Sequence, residues 1–206
     1  MTALRTKKLP REFYLRPTLN VAKELIGKLL IRQRGKQRLA GRIVEVEAYL
    51  GEKDPASHAY RGMTKRNEVM FRNGGYLYVY FTYGMHFCSN VVTEEAGIGH
   101  AVLLRAIEPL EGLDVMARNR NLPFSTEREK QNLCSGPAKL CEAFGIARKE
   151  NGTDLCGTEI WIAEDPETIK HKVVRSTRIG ITQGTEHNWR FFLRNSKHIS
   201  KGKPVS

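Results

Sequence analysis

Two acidic side chains one residue apart, Glu45 and Glu47 in "RIVEVEAYLG", are the first place where this 206-residue chain could do chemistry. On an extended strand residues i and i+2 point to the same face, so both carboxylates share a surface with Ile43 and Tyr49. Such a pair can be an ordinary solvated strand face. It can hold a magnesium ion, or it can supply a general base whose proton affinity is tuned by partial desolvation. A tyrosine beside the acids favours a lined pocket over open water. The second group is aromatic: six of the seven tyrosines fall within 35 residues, among them Tyr49, Tyr76, Tyr78, Tyr80 and Tyr83. Aromatic strands pack well for structural reasons alone, and Tyr76 and Tyr78 fit that role. Tyr83 stands next to Gly84 at an expected hairpin tip, where a large ring has little core to enter. On a basic protein such a ring can wedge between DNA base steps, unstacking them at a cost of roughly a few kcal/mol. Any enzyme that acts on a stacked base needs that extrusion.

The elements that must hold these residues follow from periodicity. From Ile43 to Leu50 the side chains alternate as a strand requires, with Val44, Val46, Ala48 and Leu50 forming the core face. "GYLYVYFTYGMHFCSNVV" reads as a hairpin with Tyr76, Tyr78 and Tyr80 on one face, Leu77, Val79 and Phe81 on the other, and a turn at Thr82–Met85. "HAVLLRAIEP" reads as a further strand. Asn20 is an expected cap for a short helix over Val21–Ile26, stopped by Gly27. A second helix is expected over about Leu110–Arg118, and a third in "SGPAKLCEAFG", with Pro137 in its first turn and Gly145 as its stop. Short strands are expected at Glu159–Ala163, Ser176–Ile181 and Arg190–Arg194. The pattern is one mixed α+β domain with an antiparallel sheet.

Composition sets the outer bounds. The chain carries 34 Lys and Arg against 22 Asp and Glu, a net charge of +12 with a pI near 9.7. That surplus favours a polyanionic partner, with nucleic acid ahead of a membrane. The charge sits at the ends: residues 1–40 carry 11 basic and 2 acidic side chains, and residues 171–206 carry 8 and 1. Both ends should converge on one DNA-facing surface, leaving the near-neutral middle to hold the pocket. The apolar stretches are far below the roughly 18 residues that span a bilayer, so no membrane association is expected. The four cysteines include no C-x-x-C pair, and the histidines are scattered. Reduced thiols and no zinc site are expected, which fits an intracellular protein.

Six segments, "RIVEVEAYLG", "ASHAYRG", "GYLYVYFTYGMHFCSNVV", "AVLLRAIEPLEGL", "LCSGPAKLCEAFGI" and "TRIGI", run in order over about residues 10 to 195. In that order they resemble the motifs of the alkyladenine (3-methyladenine) DNA glycosylase family, monofunctional base-excision repair enzymes. The resemblance implies a single α+β domain over 1–206, with a curved antiparallel sheet, surrounding helices and a protruding hairpin that enters the DNA minor groove. It implies that Glu47 is the general base that activates water. Tyr49, His58 and Tyr80 would stack around a flipped purine, Asn90 would crowd the exocyclic amino group of guanine, and Arg105 would border the site. Tyr83 would enter the minor groove, and Ile179 with Gly180 would contact DNA. The implied reaction is hydrolytic release of alkylated or deaminated purines (3-methyladenine, 7-methylguanine, hypoxanthine, ethenoadenine) from duplex DNA, leaving an abasic site. It needs no metal, cofactor or lysine nucleophile, and hence has no lyase step. The expected partner is double-stranded DNA containing a damaged purine, bound by an intracellular, DNA-associated monomer. Two other readings stay open: a noncatalytic damaged-DNA-binding module, and a metal-dependent nuclease built on Glu45 and Glu47.

Overall fold

A computed structural model describes residues 6–167 and 172–202; the outermost parts of the two basic ends, 1–5 and 203–206, lie outside the described residues. The described chain runs α1 (Arg11–Tyr14), α2 (Thr18–Leu25), β1 (Leu29–Arg34), β2 (Gln37–Leu50), β3 (Tyr76–Thr82), β4 (His86–Thr93) and β5 (His100–Glu111). It continues through α3 (Leu113–Asn119), α4 (Glu127–Asn132), α5 (Pro137–Phe144), β6 (Thr153–Asp154), β7 (Ile160–Ala163), β8 (Val173–Ser176) and β9 (Arg190–Leu193). The strands make one antiparallel sheet in the order β6-β3-β4-β5-β2-β1-β7, with β9 joined to β2 and β8 to β9. The molecule is mixed α+β, as its element pattern predicts.

The long strand β2 organises the sheet, since β1, β5 and β9 all pair with it. Its pairing with β5 slips between Ala40 and Gly41, between Ile43 and Glu45, and between Glu45 and Val46. Such bulges bend the strand and increase its twist, which curves the sheet. They also break the alternation. Ile43 lies in the main apolar core with Val44, Val46 and Ala48, rather than on the face of Glu45 and Glu47. The acidic face is buried as well: both glutamates are fully inaccessible.

Local chemistry sets most other boundaries. The β3–β4 hairpin has the expected alternation, with Leu77 and Val79 in the main core and Tyr78 in a second cluster that Tyr76 and Tyr80 pack against. Its turn runs through Tyr83 and Gly84, both left-handed at φ 49° and 67°. The first long helix starts at Thr18, two residues before the expected Asn20 cap. Its N-terminus is held from a distance: the Thr18 amide donates to Glu94 Oε1 at 2.9 Å. The helix expected from Leu110 starts at Leu113, because β5 continues to Glu111 and Gly112 turns the chain with φ 79°. Helix α4 has no apolar periodicity to announce it, although its capping box, Thr126 with Glu129, is a local signal. Helix α5 starts on Pro137 and ends at left-handed Gly145, as expected.

The strand expected over Ser176–Ile181 is displaced. β8 ends at Ser176, and the following residues leave the ladder. Arg178 turns inward to a buried pair with Asp54, and Gly180 takes φ 74°, which a strand does not accommodate.

Candidate active site

Eight of the nine residues singled out from the sequence line one cavity of about 360 Å³: Tyr49, His58, Tyr80, Tyr83, Asn90, Arg105, Ile179 and Gly180. That volume falls within the usual range for small-ligand sites, roughly 300–1,000 Å³. The ninth, Glu47, lies behind the cavity wall, inaccessible to solvent and held by three of the residues that make the wall. Tyr49 Oη donates to Glu47 Oε2 at 2.9 Å, Arg105 Nη1 donates to the same oxygen at 3.2 Å, and the Ile179 amide donates to Oε1 at 2.7 Å. An ionised carboxylate has about four acceptor positions. Three are filled here, and the open one is on Oε1, which suits a carboxylate that must accept one more proton donor.

Burial pushes the Glu47 carboxyl above its ordinary range, and Glu45 pushes it slightly further; Arg105, the Ile179 amide and the Tyr49 hydroxyl oppose both. Burial also raises the surrounding phenols. Tyr78 is pushed up to about 12, and Tyr49 and Tyr80 are raised as well. All three therefore stay neutral near pH 7 and add no negative charge beside Glu47.

Glu45 shares Arg105 with Glu47, with Arg105 Nε 3.3 Å from Glu45 Oε1. It also accepts from Arg190 Nε at 2.6 Å, from the Ser200 amide at 2.6 Å and from the Ser200 hydroxyl at 2.9 Å. All four oxygens of the Glu-x-Glu pair thus accept protein donors. Among the described residues, no group of three or more His, Cys, Asp or Glu is arranged to hold a metal ion.

The cavity walls are aromatic. Tyr78 and Tyr80 stack at 5.6 Å, and the His58 ring meets Tyr80 edge-on at 4.4 Å while its Nδ1 lies 3.1 Å from Tyr78 Oη. Desolvation against these rings, with Arg66 nearby, lowers the pKa of His58, which favours neutral imidazole. Asn90 is buried and donates to the Tyr78 carbonyl at 3.2 Å. The hairpin tip stands at the mouth of the cavity, with Tyr83 85% exposed, Met85 70% and Phe81 39%.

Several supporting pairings have no local signal in the sequence. Arg178 is fully buried, pairs with Asp54 through both terminal nitrogens at 2.5 and 2.8 Å, and lies over the rings of Tyr49 and Trp189. Its partner is 124 positions away in the chain. Arg190 and Ser200 reach Glu45 across 145 and 155 positions. None of these pairings is local, so no spacing rule points to them.

Much of the N-terminal charge pairs with acids from the middle of the chain: Arg11 with Asp154, Lys28 with Glu164, Arg32 with Glu150 and Arg38 with Glu111. At the other end, Ser200 is bonded to Arg105, which places the C-terminal segment beside the cavity.

Residues 12–197 match the sequence model of the family described as Methylpurine-DNA glycosylase (MPG). A protein of Carboxydothermus hydrogenoformans named "Putative 3-methyladenine DNA glycosylase" is 50% identical over 194 residues, covering 94% of this chain and 98% of its own. Similar proteins with the same name come from Methanocella arvoryzae (48% identical, 95% and 97% covered) and Chlorobaculum parvum (47%, 94% and 91%).

Proposed function

Since the chain belongs to the methylpurine-DNA glycosylase family, we propose that it hydrolyses the N-glycosyl bond of a damaged purine turned out of duplex DNA. The observation that carries this reading is the position of Glu47: a buried carboxylate with one open acceptor site, behind the wall of an aromatic cavity that opens at an exposed tyrosine. The purine enters between Tyr49, His58 and Tyr80. Tyr83 occupies the space it leaves in the duplex. Water bound at Glu47 Oε1 attacks the anomeric carbon and gives its proton to the carboxylate. The N-glycosidic electron pair departs with the base, leaving an abasic site. Positive charge builds on the sugar as that bond breaks, and the ionised carboxylate stabilises it.

The neutral aromatic walls favour electron-poor bases and, for cationic alkylated purines, add cation–π attraction. That supports activity on alkylated and deaminated purines as a class, including 3-methyladenine, 7-methylguanine, hypoxanthine and ethenoadenine. Asn90 disfavours normal guanine by crowding its exocyclic amino group. Ile179 and Gly180 contact DNA next to the pocket, and Arg105 holds Glu47 and its water. The protein acts as an intracellular, DNA-associated single-domain monomer without a lyase step.

The test is base release from duplexes carrying each of these lesions, with Glu47→Gln beside the wild type. Loss of the base should slow release by roughly a hundredfold or more, while lesion binding persists. Release by Glu47→Gln at the wild-type rate would sink the assignment. Abasic sites formed in the presence of EDTA, without direct strand cleavage, exclude the nuclease and the noncatalytic module together.

A further inference from the structure

We propose that the segment following β9, through Ser200 and Gly202, is a positioning device that holds two of the three donors to Glu47, Arg105 and Ile179; this rests on the reading of Glu47 as the general base. The matched family region ends at residue 197, before either residue. Ser200 is buried beside the two glutamates. Its amide and hydroxyl donate to Glu45 at 2.6 and 2.9 Å, and its hydroxyl oxygen accepts from Arg105 Nη2 at 3.3 Å. The Arg105 guanidinium is therefore fixed at both ends, by Glu47 on Nη1 and by Ser200 on Nη2. Without the Ser200 hydroxyl, Nη2 loses that partner in a buried setting, and the guanidinium can rotate away from Glu47.

Gly202 supports the other side. A β-carbon at that position would lie 2.3 Å from Ile179 Cγ2, so the backbone there rests directly on Ile179. The Ile179 amide holds Glu47 Oε1, the oxygen with the open acceptor site. One short segment thus supports Arg105 through a hydrogen bond and Ile179 through close packing. Both are donors to the same carboxylate.

The charged and titratable groups around Glu47 come from several elements. Glu45 and Tyr49 lie on its own strand, Arg105 on β5 and Tyr80 on β3. Arg190 on β9 stands opposite it in register. Among these, Arg105 is the main group favouring ionised Glu47, and it is the one that Ser200 holds.

The experiment is single-turnover base release across pH from a duplex carrying 3-methyladenine, with lesion-DNA affinity and thermal melting measured in parallel. Ser200→Ala should slow release by roughly tenfold, as expected for one lost hydrogen bond to a charged group. It should move the acid limb to higher pH and leave affinity unchanged, and Ser200→Thr should restore both rate and limb. Gly202→Ala should slow release through Ile179 without touching Arg105. A wild-type rate and limb in Ser200→Ala would overturn the positioning role. So would a rate loss matched by an equal loss of lesion affinity, which marks general loosening. Failure of the wild type itself to release base would overturn the reading of Glu47, an outcome distinct from either.

Discussion

Opposed influences act on Glu47: burial raises its pKa, while Arg105, the Ile179 amide and the Tyr49 hydroxyl pull it down, and the rise wins. A general base works only when ionised, so base release should decline as pH falls through that raised value. Duplexes carrying a cationic 7-methylguanine isolate this limb, because their leaving group needs no added proton. The acid limb should then lie above the ordinary carboxylate range. A limb within the ordinary carboxylate range would contradict the burial account. Spacing alone puts two equivalent acids on one strand and does not choose between them. The choice follows from partners distant in sequence: Glu47 is walled by Tyr49, Arg105 and Ile179 at the cavity, whereas Glu45 is bound by Arg190 and Ser200.

At the scale of elements, the β3–β4 hairpin is the part most directly legible in the sequence. Period-two alternation and a Tyr-Gly turn are local properties, and they foretell the strands, the two faces and the exposed tip. Because Tyr83 is 85% exposed, Tyr83→Ala should leave the melting temperature unchanged. It should weaken lesion-DNA binding roughly tenfold or more, given stacking worth about 1–3 kcal/mol per base. Equal binding by the variant would refute the wedge. Elements set by distant partners were not legible. Helix α2 begins at Thr18 because Glu94 from beyond β4 holds its first amide. The strand expected at Ser176–Ile181 gives way to a loop because Arg178 pairs with Asp54 and Gly180 turns the chain. The residues that bury the polar face of β2, Arg190 and Ser200 among them, arrive more than a hundred positions later, so its full burial has no local signal.

For the whole molecule, net charge alone does not say where a polyanion would sit. A surplus of +12 is compatible with any distribution, and here much of its N-terminal share is paired with acids from the middle of the chain. Cations near the pocket should therefore set the salt dependence of DNA binding. Arg66 is exposed and donates to the Phe81 carbonyl on the hairpin. Arg66→Gln should reduce the slope of log affinity against log salt by about 0.9, the share of one phosphate contact. Lys28→Gln, which removes a cation paired with Glu164, should leave the slope unchanged. A reversed pattern in salt titrations would return the contact surface to the N-terminal end. The apolar hairpin tip adds attraction of another kind. Phe81, Tyr83 and Met85 stay in water after the chain has folded, and covering them against base faces releases no counterions. On the proposed reading the grip on DNA would have two components: an ionic one that salt dissolves, suited to travelling along intact duplex, and a salt-indifferent one that would engage only where the stack has opened.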